Sequence, residues 1–323
     1  YDLCNDFAIV FDKAMKGEKA LEDVVISPER PMNVMLAVKV ENIEEGFEVC
    51  GKPVALEYKY DGFRMLVNKK GKEIFLFTRK LENVTKQFPD VVDAVKKNVS
   101  GESFILDAEV VGYDPKTRKY KPFEAVSQRI KRKYDIDRLV KEIPVEVNVF
   151  DVVYYNGKSM INEKFLERRK LVEKIVKKDE WKIKPSNQII TDSEEEANKF
   201  YHSALKVGEE GIMIKNIGAP YKQGRRVGYM AKLKPVVKEL DLVIVGAEYG
   251  SGKRGGWLTS YIVACRDNGN FLEVGKVSSG LKEKEEEGTS YDEMTKILRP
   301  LITEDKGDYV VVSPKIVVSV TYQ

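Results

Sequence analysis

One short segment of the chain combines side chains that could carry out covalent chemistry, Lys59-Tyr60-Asp61-Gly62-Phe63-Arg64. It comes at the end of an apolar run and is predicted to form a tight turn beside a strand. A lysine amine is a nucleophile only when neutral, so such chemistry needs cations, a metal or desolvation nearby. Arg64 could supply positive charge and grip a phosphate. Asp61 could orient the amine, and Gly62 could let the backbone approach a ligand closely. The segment predicts a lysine that bonds covalently to a nucleotide.

The same turn could also be an ordinary surface hairpin with an exposed strand-end lysine, so the segments that follow decide between the two interpretations. Five of them come in order: Thr78-Arg79-Lys80-Leu81-Glu82-Asn83-Val84-Thr85, Leu106-Asp107-Ala108-Glu109-Val110-Val111, Val149-Phe150-Asp151-Val152, Glu209-Glu210-Gly211-Ile212-Met213-Ile214-Lys215 and Ala231-Lys232-Leu233-Lys234. With the lysine segment they resemble nucleotidyltransferase motifs I, Ia, III, IIIa, IV and V. Tyr60 and the segment 78–85 look like ATP-dependent DNA ligases of the archaeal and eukaryotic type. The resemblance covers residues 24–323, and six motifs in order are specific.

The resemblance implies a role for each candidate residue. Lys59 would attack the α-phosphate of ATP and carry AMP. Glu57 and the backbone of Tyr58 would meet the adenine edge, and Phe150 would stack on the ring. Six further residues would bind nucleotide, metal or DNA: Arg64 and Arg79 at the nucleotide, Arg79 also at DNA, Glu109 at the nucleotide and the metal, Glu210 at the metal, and Lys232 and Lys234 at the triphosphate. The metal would be Mg²⁺, with Mn²⁺ as an alternative.

Several residues of these motifs also have a plainer structural interpretation. Phe150 could be a core aromatic, and Glu57 a surface carboxylate paired with a lysine. Strand alternation puts Asp107 and Glu109 on one face, so the two could exchange roles. Glu209, just before a strand, is expected to be solvated. Lys232 and Lys234 share a face of one strand, which suits either a triphosphate or solvent.

Two other features of the sequence could carry chemistry, a glycine-rich stretch and a single histidine. The glycine-rich stretch 246–254 does not fit a P-loop, because the glycine spacing is wrong and Arg254 replaces the metal-binding Ser or Thr. We interpret Lys253 and Arg254 as a basic turn that contacts DNA phosphates, with a plain hairpin as the alternative. His202, the only histidine, is expected to be structural.

Composition narrows the class of protein. The 323 residues carry 55 Lys and Arg against 52 Asp and Glu, and the net charge of +3 is modest for a nucleic-acid binder. Three scattered cysteines predict neither a disulfide framework nor a zinc site. No apolar run approaches the roughly 18–20 residues of a membrane span, and no signal peptide opens the chain. We therefore expect an intracellular protein with no membrane association, cytoplasmic and near the nucleoid in a prokaryote or nuclear in a eukaryote.

The element pattern predicts an α+β protein with antiparallel sheets, because strands bunch instead of alternating with helices. Predicted strands are 55–60, 65–69, 74–78, 104–113, 145–155, 211–216 and 229–233. Predicted helices are 90–98, 129–141, 163–175 and 193–206. From residue 241 the chain is expected to be nearly all strand, at 242–249, 260–265, 271–275 and 310–320, which suggests a small barrel. The resemblance identifies that barrel as an OB-fold.

The pattern together with the resemblance implies three regions. Residues 1–30 would be the remnant helix of an upstream DNA-binding domain plus a linker, because one amphipathic helix cannot bury its own face. Residues 31–238 would form the adenylation (nucleotidyltransferase) domain, and residues 239–323 a C-terminally truncated OB-fold domain. The family's last, basic motif is not found before Gln323, so we expect weak self-adenylation and, without the upstream domain, weak DNA affinity.

The functional prediction is the core of an ATP-dependent DNA ligase that seals nicks with a 5′-phosphate and a 3′-hydroxyl, as in replication, repair and recombination. The expected partners are nicked double-stranded DNA and a sliding clamp reached through the upstream domain, and the protein is expected to be a monomer. An RNA ligase or an mRNA-capping guanylyltransferase would use the same covalent lysine. A catalytically silent scaffold that binds nicks is the alternative of a different class.

Overall fold

The computed structural model describes residues 1–22, 26–132, 134–235, 239–283 and 288–321. Its contacts divide the chain into two units, Tyr1–Pro235 and Val236–Gln323. The boundary predicted between residues 238 and 239 adjoins residues 236–238, which lie outside the described residues. Among the helices that the structure describes, none is long and apolar enough to cross a membrane.

The first unit contains two sheets and the helices that cover them. Its strands are β1 (Met35–Leu36), β2 (Val38–Val40), β3 (Val54–Tyr58), β4 (Phe63–Lys70), β5 (Glu73–Thr78), β6 (Ser103–Gly112), β7 (Val145–Tyr155), β8 (Lys158–Ser159), β9 (Ile183–Pro185), β10 (Gln188–Thr191), β11 (Ile212–Asn216), β12 (Gly224–Arg225) and β13 (Met230–Leu233). Its helices are α1 (Phe7–Met15), α2 (Glu18–Glu22), α3 (Ile43–Cys50), α4 (Pro89–Asn98), α5 (Phe123–Lys131), α6 (Ile136–Glu142), α7 (Phe165–Ile175) and α8 (Glu194–Lys206).

One sheet has the strand order β10-β3-β11-β13-β2, and only its β13–β2 pair is parallel. Helices α3 and α8 cover it with a core that includes Ile43, Phe47, Ala197 and Phe200. Both helices begin at caps that the sequence supplies, since the side chains of Asn42 and Ser193 accept hydrogen bonds from backbone amides three residues later.

The other sheet has the order β5-β4-β6-β7-β8, and β9 pairs in parallel with β7. Helices α4 and α7 contribute Val91, Val95 and Val172 to the core beneath it. The chain passes from β3 of one sheet to β4 of the other through residues 59–62 alone. The lysine segment therefore lies where the two sheets meet, and both sheets can position it.

The second unit is a curled antiparallel sheet with one helix. Its strands are β14 (Glu239–Tyr249), β15 (Leu258–Asp267), β16 (Asn270–Val277), β17 (Ile302–Asp305), β18 (Tyr309–Val312) and β19 (Val317–Thr321), and its helix is α9 (Tyr291–Leu298). The order is β16-β15-β14-β18-β17, and β14 also pairs with β19. The first half of β14 pairs with β19 and its second half with β18. One long strand thereby serves two neighbours on the same edge, which bends the sheet around the core.

Several predicted elements were wrong or missing. The nearly all-strand region after residue 241 also contains α9, whose N-cap Ser290 accepts from the amide of Glu293 at 3.1 Å. The predicted strand 310–320 is two strands, because Pro314 between them cannot donate to a ladder. The predicted helix 129–141 is the end of α5 and the separate helix α6, and α3 was not predicted.

Helix α1 forms where an amphipathic helix was predicted, with the side chain of Asp6 capping it. Its large apolar residues Phe7, Phe11 and Met15 are each about 70% exposed or more. That this segment ends an upstream DNA-binding domain stays a prediction.

Candidate active site

Backbone hydrogen bonds fix Lys59 against β11. The amide of Lys59 donates to the carbonyl of Gly211 at 2.9 Å, and the amide of Glu210 donates to the carbonyl of Lys59 at 3.0 Å. Gly211 has a φ of +135°, and a Cβ there would lie 2.1 Å from the carbonyl oxygen of Leu233. Only glycine fits this position, so the register that brings Glu210 beside Lys59 depends on it.

Gly62 fixes the other end of the lysine segment. A Cβ on this residue would lie 2.4 Å from the carbonyl oxygen of Val110 in β6. The sequence-based expectation that Gly62 makes room for a ligand was incomplete, because the close neighbour that the structure shows is the protein's own strand. Gly62 therefore lets the turn lie directly on β6.

A cavity of about 720 Å³ opens above this turn within the first unit. Ten of the predicted residues line it: Glu57, Tyr58, Lys59, Asp61, Arg64, Arg79, Glu109, Phe150, Glu210 and Lys232. Lys234 joins the group through its ion pair with Glu210. Lys253 and Arg254 lie in the second unit.

The Lys59 ammonium donates to Oε2 of Glu210, and Lys234 contacts the same oxygen at 2.8 Å. Burial alone would raise the pKa of Glu210, but the hydrogen bonds from Lys234 and Lys59 outweigh it and hold the pKa below its ordinary value. The sequence suggested that Asp61 orients the Lys59 amine. Within the described residues, Glu210 does so instead. The pKa of Asp61 is raised by burial and then by the charge of Glu210.

Positive charge is concentrated on one side of the cavity. Burial lowers the pKa of Lys232, and the charges of Lys59, Lys234, Arg225 and Arg79 lower it further. Such mutual repulsion between cations is relieved when an anion binds among them. The arrangement fits a polyphosphate, as predicted from the alternation of Lys232 and Lys234.

Arg64 is held by a buried network instead of extending freely toward a ligand. Its Nε and Nη2 donate to the two oxygens of Asp107 at 2.8 and 2.5 Å, and its Nη1 donates to the carbonyl of Met35 at 2.5 Å. The hydroxyl of Tyr221 donates to Asp107 at 2.7 Å. Arg64 still lines the cavity, but most of its donors are engaged, so it provides fixed positive charge more than a mobile phosphate grip.

This network separates the roles that the sequence left open for Asp107 and Glu109. Asp107 is fully buried and neutralised by Arg64. Glu109 lines the cavity and, within the part of the chain that the structure describes, makes no side-chain hydrogen bond or ion pair. Burial raises the pKa of Glu109 to about 8, although the charges of Arg64 and Lys59 partly oppose it. A carboxylate in this condition is suited to a cation.

The residues present fit Mg²⁺ without forming a complete cage. Among the described residues, no cluster of three or more His, Cys, Asp or Glu could hold a metal ion. Mg²⁺, however, is usually bound by one or two carboxylates together with waters and substrate phosphates. Glu109 and Oε1 of Glu210 provide two carboxylates beside the cationic side of the cavity.

Part of the cavity wall is apolar or aromatic, and it includes Phe150 and Met213. Phe150 is half-buried and lines the cavity, and the Lys215 ammonium lies 4.4 Å from its ring centre. The carboxylate of the next residue, Asp151, is held by the buried Arg168 at 2.7 and 2.9 Å, which fixes the strand behind the ring. Phe150 thus has a ring available to the cavity, where a core aromatic would have none.

Glu57 is a buried carboxylate, and the surface interpretation was wrong. Its oxygens lie 2.6 Å from the Lys215 ammonium and 3.4 Å from Arg169, and they accept from the amide side chain of Gln188 at 2.7 Å. Glu57 is only 2% exposed. Because three partners hold its carboxylate, it has one fixed orientation at the cavity wall.

The expectation for Glu209 was also wrong. Glu209 is only 6% exposed, and its Oε1 has no hydrogen-bonding partner. Burial raises the pKa of Glu209 to about 8. Glu209 lines a second cavity in the first unit, of about 260 Å³.

Among the residues that line the cavity, Met213, Lys215 and Arg225 received no role from the sequence. Met213 and Lys215 belong to the quoted segment 209–215 and alternate with Ile212 and Ile214, a signal that could have singled them out. Arg225 gave no signal, because β12 is only two residues long. His202 lies on α8 beside Tyr201, away from the residues that line this cavity.

In the second unit, Arg254 is already paired. Its Nε and Nη2 donate to Oε1 of Glu283 at 2.9 and 2.6 Å, and its guanidinium lies 4.9 Å from the ring centre of Tyr291. The hydrogen bond to Glu283 raises the pKa of Arg254. Lys253 beside it is exposed.

Comparison with known proteins agrees with this geometry. The family model of the ATP dependent DNA ligase domain matches residues 34–234. This range includes every residue that lines the cavity around Lys59. The chain belongs to the ATP-dependent DNA ligase family. The DNA ligase of Nanoarchaeum equitans is 49% identical over all of this chain, and that of Thermococcus fumicolans 39%. The chain spans 58% and 57% of the lengths of these two ligases.

Solved ligase structures share the fold at lower identity. A mycobacterial DNA ligase D complexed with ATP and MES aligns with a TM-score of 0.50 at 22% identity, covering 91% of this chain and 89% of that one. A Lig E DNA ligase aligns with a TM-score of 0.54 at 16% identity, covering 80% of this chain and 88% of that one. The predicted fold class, an α+β adenylation domain followed by a small OB-fold, is confirmed.

Proposed function

We propose that this chain is the catalytic core of an ATP-dependent DNA ligase, which seals nicks between a 5′-phosphate and a 3′-hydroxyl in duplex DNA. The observation that carries the proposal is the position of Lys59, whose amine contacts Glu210 in a cavity that several cations and the ring of Phe150 line. Family membership supports the same conclusion.

In the first step, ATP binds with its base between the ring of Phe150 and the side chain of Met213. Glu57, held by Lys215, Arg169 and Gln188, accepts a hydrogen bond at the adenine edge together with the backbone of Tyr58. Lys232, Lys234 and Arg79 neutralise the phosphates. Such prior placement of charge is the largest single contribution in many enzymes.

The covalent step forms a bond between Nζ of Lys59 and the α-phosphorus. The bond from that phosphorus to the bridging oxygen breaks and pyrophosphate leaves, while the ammonium gives up two of its three protons to the surroundings and keeps one on the phosphoramide nitrogen. Glu210 keeps the amine directed into the cavity through its contact with Lys59. The product is a lysine-linked AMP.

Glu109 and Glu210 are the residues that would hold Mg²⁺ or Mn²⁺. When bound, the ion would neutralise charge on the phosphates during transfer. Glu109, which lacks a protein partner among the described residues, would gain one in this way.

In the later steps an oxygen of the 5′-phosphate at the nick attacks the phosphorus of the lysine-linked AMP, and the bond to Nζ breaks. The 3′-hydroxyl then attacks the 5′-phosphate and AMP leaves. Arg79 and Lys253, both exposed, contact DNA phosphates, and Arg254 joins them when it leaves Glu283. We further propose that the protein acts as a monomer and that the whole protein meets a sliding clamp.

The test is adenylation of the whole protein with α-³²P-ATP and Mg²⁺. We expect an acid-labile, lysine-linked AMP that Lys59→Ala abolishes, whereas Lys72→Ala, at an exposed turn lysine, labels normally. Labelling of the Lys59→Ala protein would refute the site. Labelling by GTP in place of ATP would favour a capping guanylyltransferase. Sealing of RNA but not DNA would favour an RNA ligase, and the absence of any labelling would favour a nick-binding scaffold.

A further inference from the structure

A buried asparagine in the sheet behind the nucleotide cavity has no partner for either of its polar atoms. Asn148 lies on β7 and is fully buried, and neither its Nδ2 nor its Oδ1 makes a hydrogen bond within the described residues. An amide side chain is costly to bury in this condition, because it loses its hydrogen bonds to water and gains none in the protein. Asn148 has no part in the ligase chemistry proposed above, so its burial needs another explanation.

The strand register places Asn148 directly beside Glu109. Glu109 of β6 pairs with Arg64 of β4 on one side and with Asn148 of β7 on the other. Paired residues project from the same face of a sheet, with Cβ atoms about 4.5–5.5 Å apart. Arg64 and Glu109 line the nucleotide cavity, whereas Val147 and Val149 belong to the core on the opposite face. The Asn148 side chain therefore lies on the cavity face, within reach of the Glu109 carboxylate.

The other residues of this cross-strand row are already engaged. Lys184 of β9 pairs with Asn148 on its far side, but the Lys184 ammonium lies 2.9 Å from Glu146. Arg64 donates to the buried network described above. Within the described part of the chain, the unpaired amide of the row thus adjoins a carboxylate that also lacks a protein partner.

The two unpaired groups are chemically complementary. An ionised carboxylate can only accept hydrogen bonds, and the Nδ2 of an asparagine can only donate them. A carboxylate that binds a cation keeps lone pairs that face away from the ion. A neighbouring donor that occupies one of these lone pairs fixes the orientation of the carboxylate and so strengthens the hold on the cation. Asn148 provides such a donor at the position next to Glu109.

We propose that Asn148 is a positioning residue for Glu109, and that its Nδ2 donates to the Glu109 carboxylate when that carboxylate binds a divalent cation. Asn148 does not itself line the cavity, so it acts through Glu109 and not on the nucleotide. Its unpaired amide destabilises the cation-free protein and gains its partner only in the loaded site. The proposal rests on the role that the proposed function gives to Glu109.

The test measures how a divalent cation changes the affinity of the whole protein for α,β-methylene-ATP, an analogue that cannot release pyrophosphate. Calorimetry gives the dissociation constant of the analogue in EDTA, and again with enough Mn²⁺ to load all of the analogue. We expect Asn148→Leu to raise the constant with Mn²⁺ about tenfold, the lower end of the effect of losing a residue that orients a metal ligand. The constant in EDTA should change less than about twofold. An unchanged constant with Mn²⁺ would refute the proposal.

Asn68 provides a matched control in the same sheet. It is also fully buried, but its Nδ2 donates to the carbonyls of Pro28 and Arg30 at 2.9 and 3.0 Å. Asn68→Leu breaks both hydrogen bonds, so it should lower the midpoint of denaturant unfolding and leave both dissociation constants within about twofold. Asn148→Leu breaks no hydrogen bond of the cation-free protein and should have an equal or higher midpoint. An equal rise of the Mn²⁺ constant in both variants would show a general weakening of the sheet and overturn the proposal.

Glu109→Gln separates a failure of this inference from a failure of the proposed function. It should raise the constant with Mn²⁺ at least as much as Asn148→Leu does. Adding Asn148→Leu to it should cause less than about twofold further loss, because the two residues act as one unit. If Glu109→Gln leaves the constant with Mn²⁺ unchanged, the cation site of the proposed function is wrong. If Glu109→Gln weakens binding and Asn148→Leu does not, only the role of Asn148 is refuted.

Asn148→Val is a second variant in case leucine does not fit the position. Valine is well suited to a strand and has no donor, so we expect the same rise of about tenfold in the constant with Mn²⁺. Denaturant unfolding shows that the variant is folded. A folded Asn148→Val protein with the affinity of the wild type in Mn²⁺ would contradict the proposal.

Discussion

Lys59 and Glu210 are joined twice, once by their side chains and once by a backbone hydrogen bond in which the amide of Glu210 donates to the carbonyl of Lys59 at 3.0 Å. The backbone hydrogen bond keeps Glu210 next to Lys59, so its side chain stays within reach of the amine as long as the strand pairing holds. The orientation of the nucleophile is therefore a property of the sheet, and a change at Glu210 tests it directly.

Glu210→Gln should reduce lysine adenylation by about 10- to 100-fold, because a hydrogen bond between charged groups contributes about 1.5–3 kcal/mol. The same change removes the negative partner of Lys234. Single-turnover labelling with α-³²P-ATP measures the rate. Glu195→Gln on the exposed face of α8 serves as the control, and equal rates in both variants would argue against a role for the Lys59–Glu210 contact.

Lys59→Ala should fail to seal a nick with ATP yet measurably seal a nick that already carries AMP on its 5′ end. The last step joins DNA ends and needs no covalent lysine, so only the first two steps are lost. Gel analysis of both substrates with the whole protein measures this. Complete loss on the preadenylated nick would mean that Lys59 also positions DNA or metal.

Two carboxylates on β6 should respond oppositely to removal of their charge. Asp107→Ala leaves the buried Arg64 guanidinium without its partner and should lower the free energy of unfolding by about 3–5 kcal/mol. Glu109→Gln removes a carboxylate without a protein partner among the described residues, and the ligand-free protein should be equally or more stable. Denaturant unfolding measures both. Destabilisation by Glu109→Gln matching that of Asp107→Ala would contradict the separation of their roles.

The same substitution should change how stability depends on pH. The folded-state pKa of Glu109 is raised from 4.5 to about 8, so the folded protein holds this proton more tightly than the unfolded chain does. Its stabilising contribution is complete below the unfolded value and is lost as the pH rises from about 4.5 to about 8. Glu109→Gln should therefore gain stability relative to the wild type across this range, measured without divalent cations. A parallel pH profile for the two proteins would show that Glu109 is not titrating there.

DNA binding should depend more on Lys253 than on Arg254, because Glu283 already occupies Arg254. Lys253→Ala should reduce the salt slope of DNA binding by about 0.9, the value for one released counterion. Arg254→Ala alone should change it less, and Glu283→Gln should strengthen DNA binding by freeing Arg254. Adenylation serves as the control and should be nearly unaffected. A weaker DNA affinity in Glu283→Gln would contradict the competition between Glu283 and DNA.

The sequence predicted what depends on local periodicity. Period-two alternation correctly placed Lys232 and Lys234 together, Lys232 at the cavity and Lys234 on Glu210 beside it. Alternation could not distinguish the role of Asp107 from that of Glu109. The residues that hydrogen-bond to Asp107 are Arg64 and Tyr221, which are 43 and 114 residues away in sequence. The burial of Glu209 was missed for a similar reason.

Short and punctuated elements were the other source of error. The Ser290-to-Glu293 spacing is a capping pattern that could have predicted α9, and Pro314 could have divided the last strand. Both signals are present in the printed sequence, whereas the strand partners of β12 depend on contacts that only the folded chain provides.

The close backbone approaches at Gly62 and Gly211 lock both ends of the lysine turn against neighbouring strands, so little conformational entropy remains there for a ligand to remove. The entropy lost on binding ATP must come instead from long side chains around the turn, above all the exposed Arg79 and the half-exposed Lys234. Stiffening those side chains, rather than the turn, is where affinity for the nucleotide could still be raised.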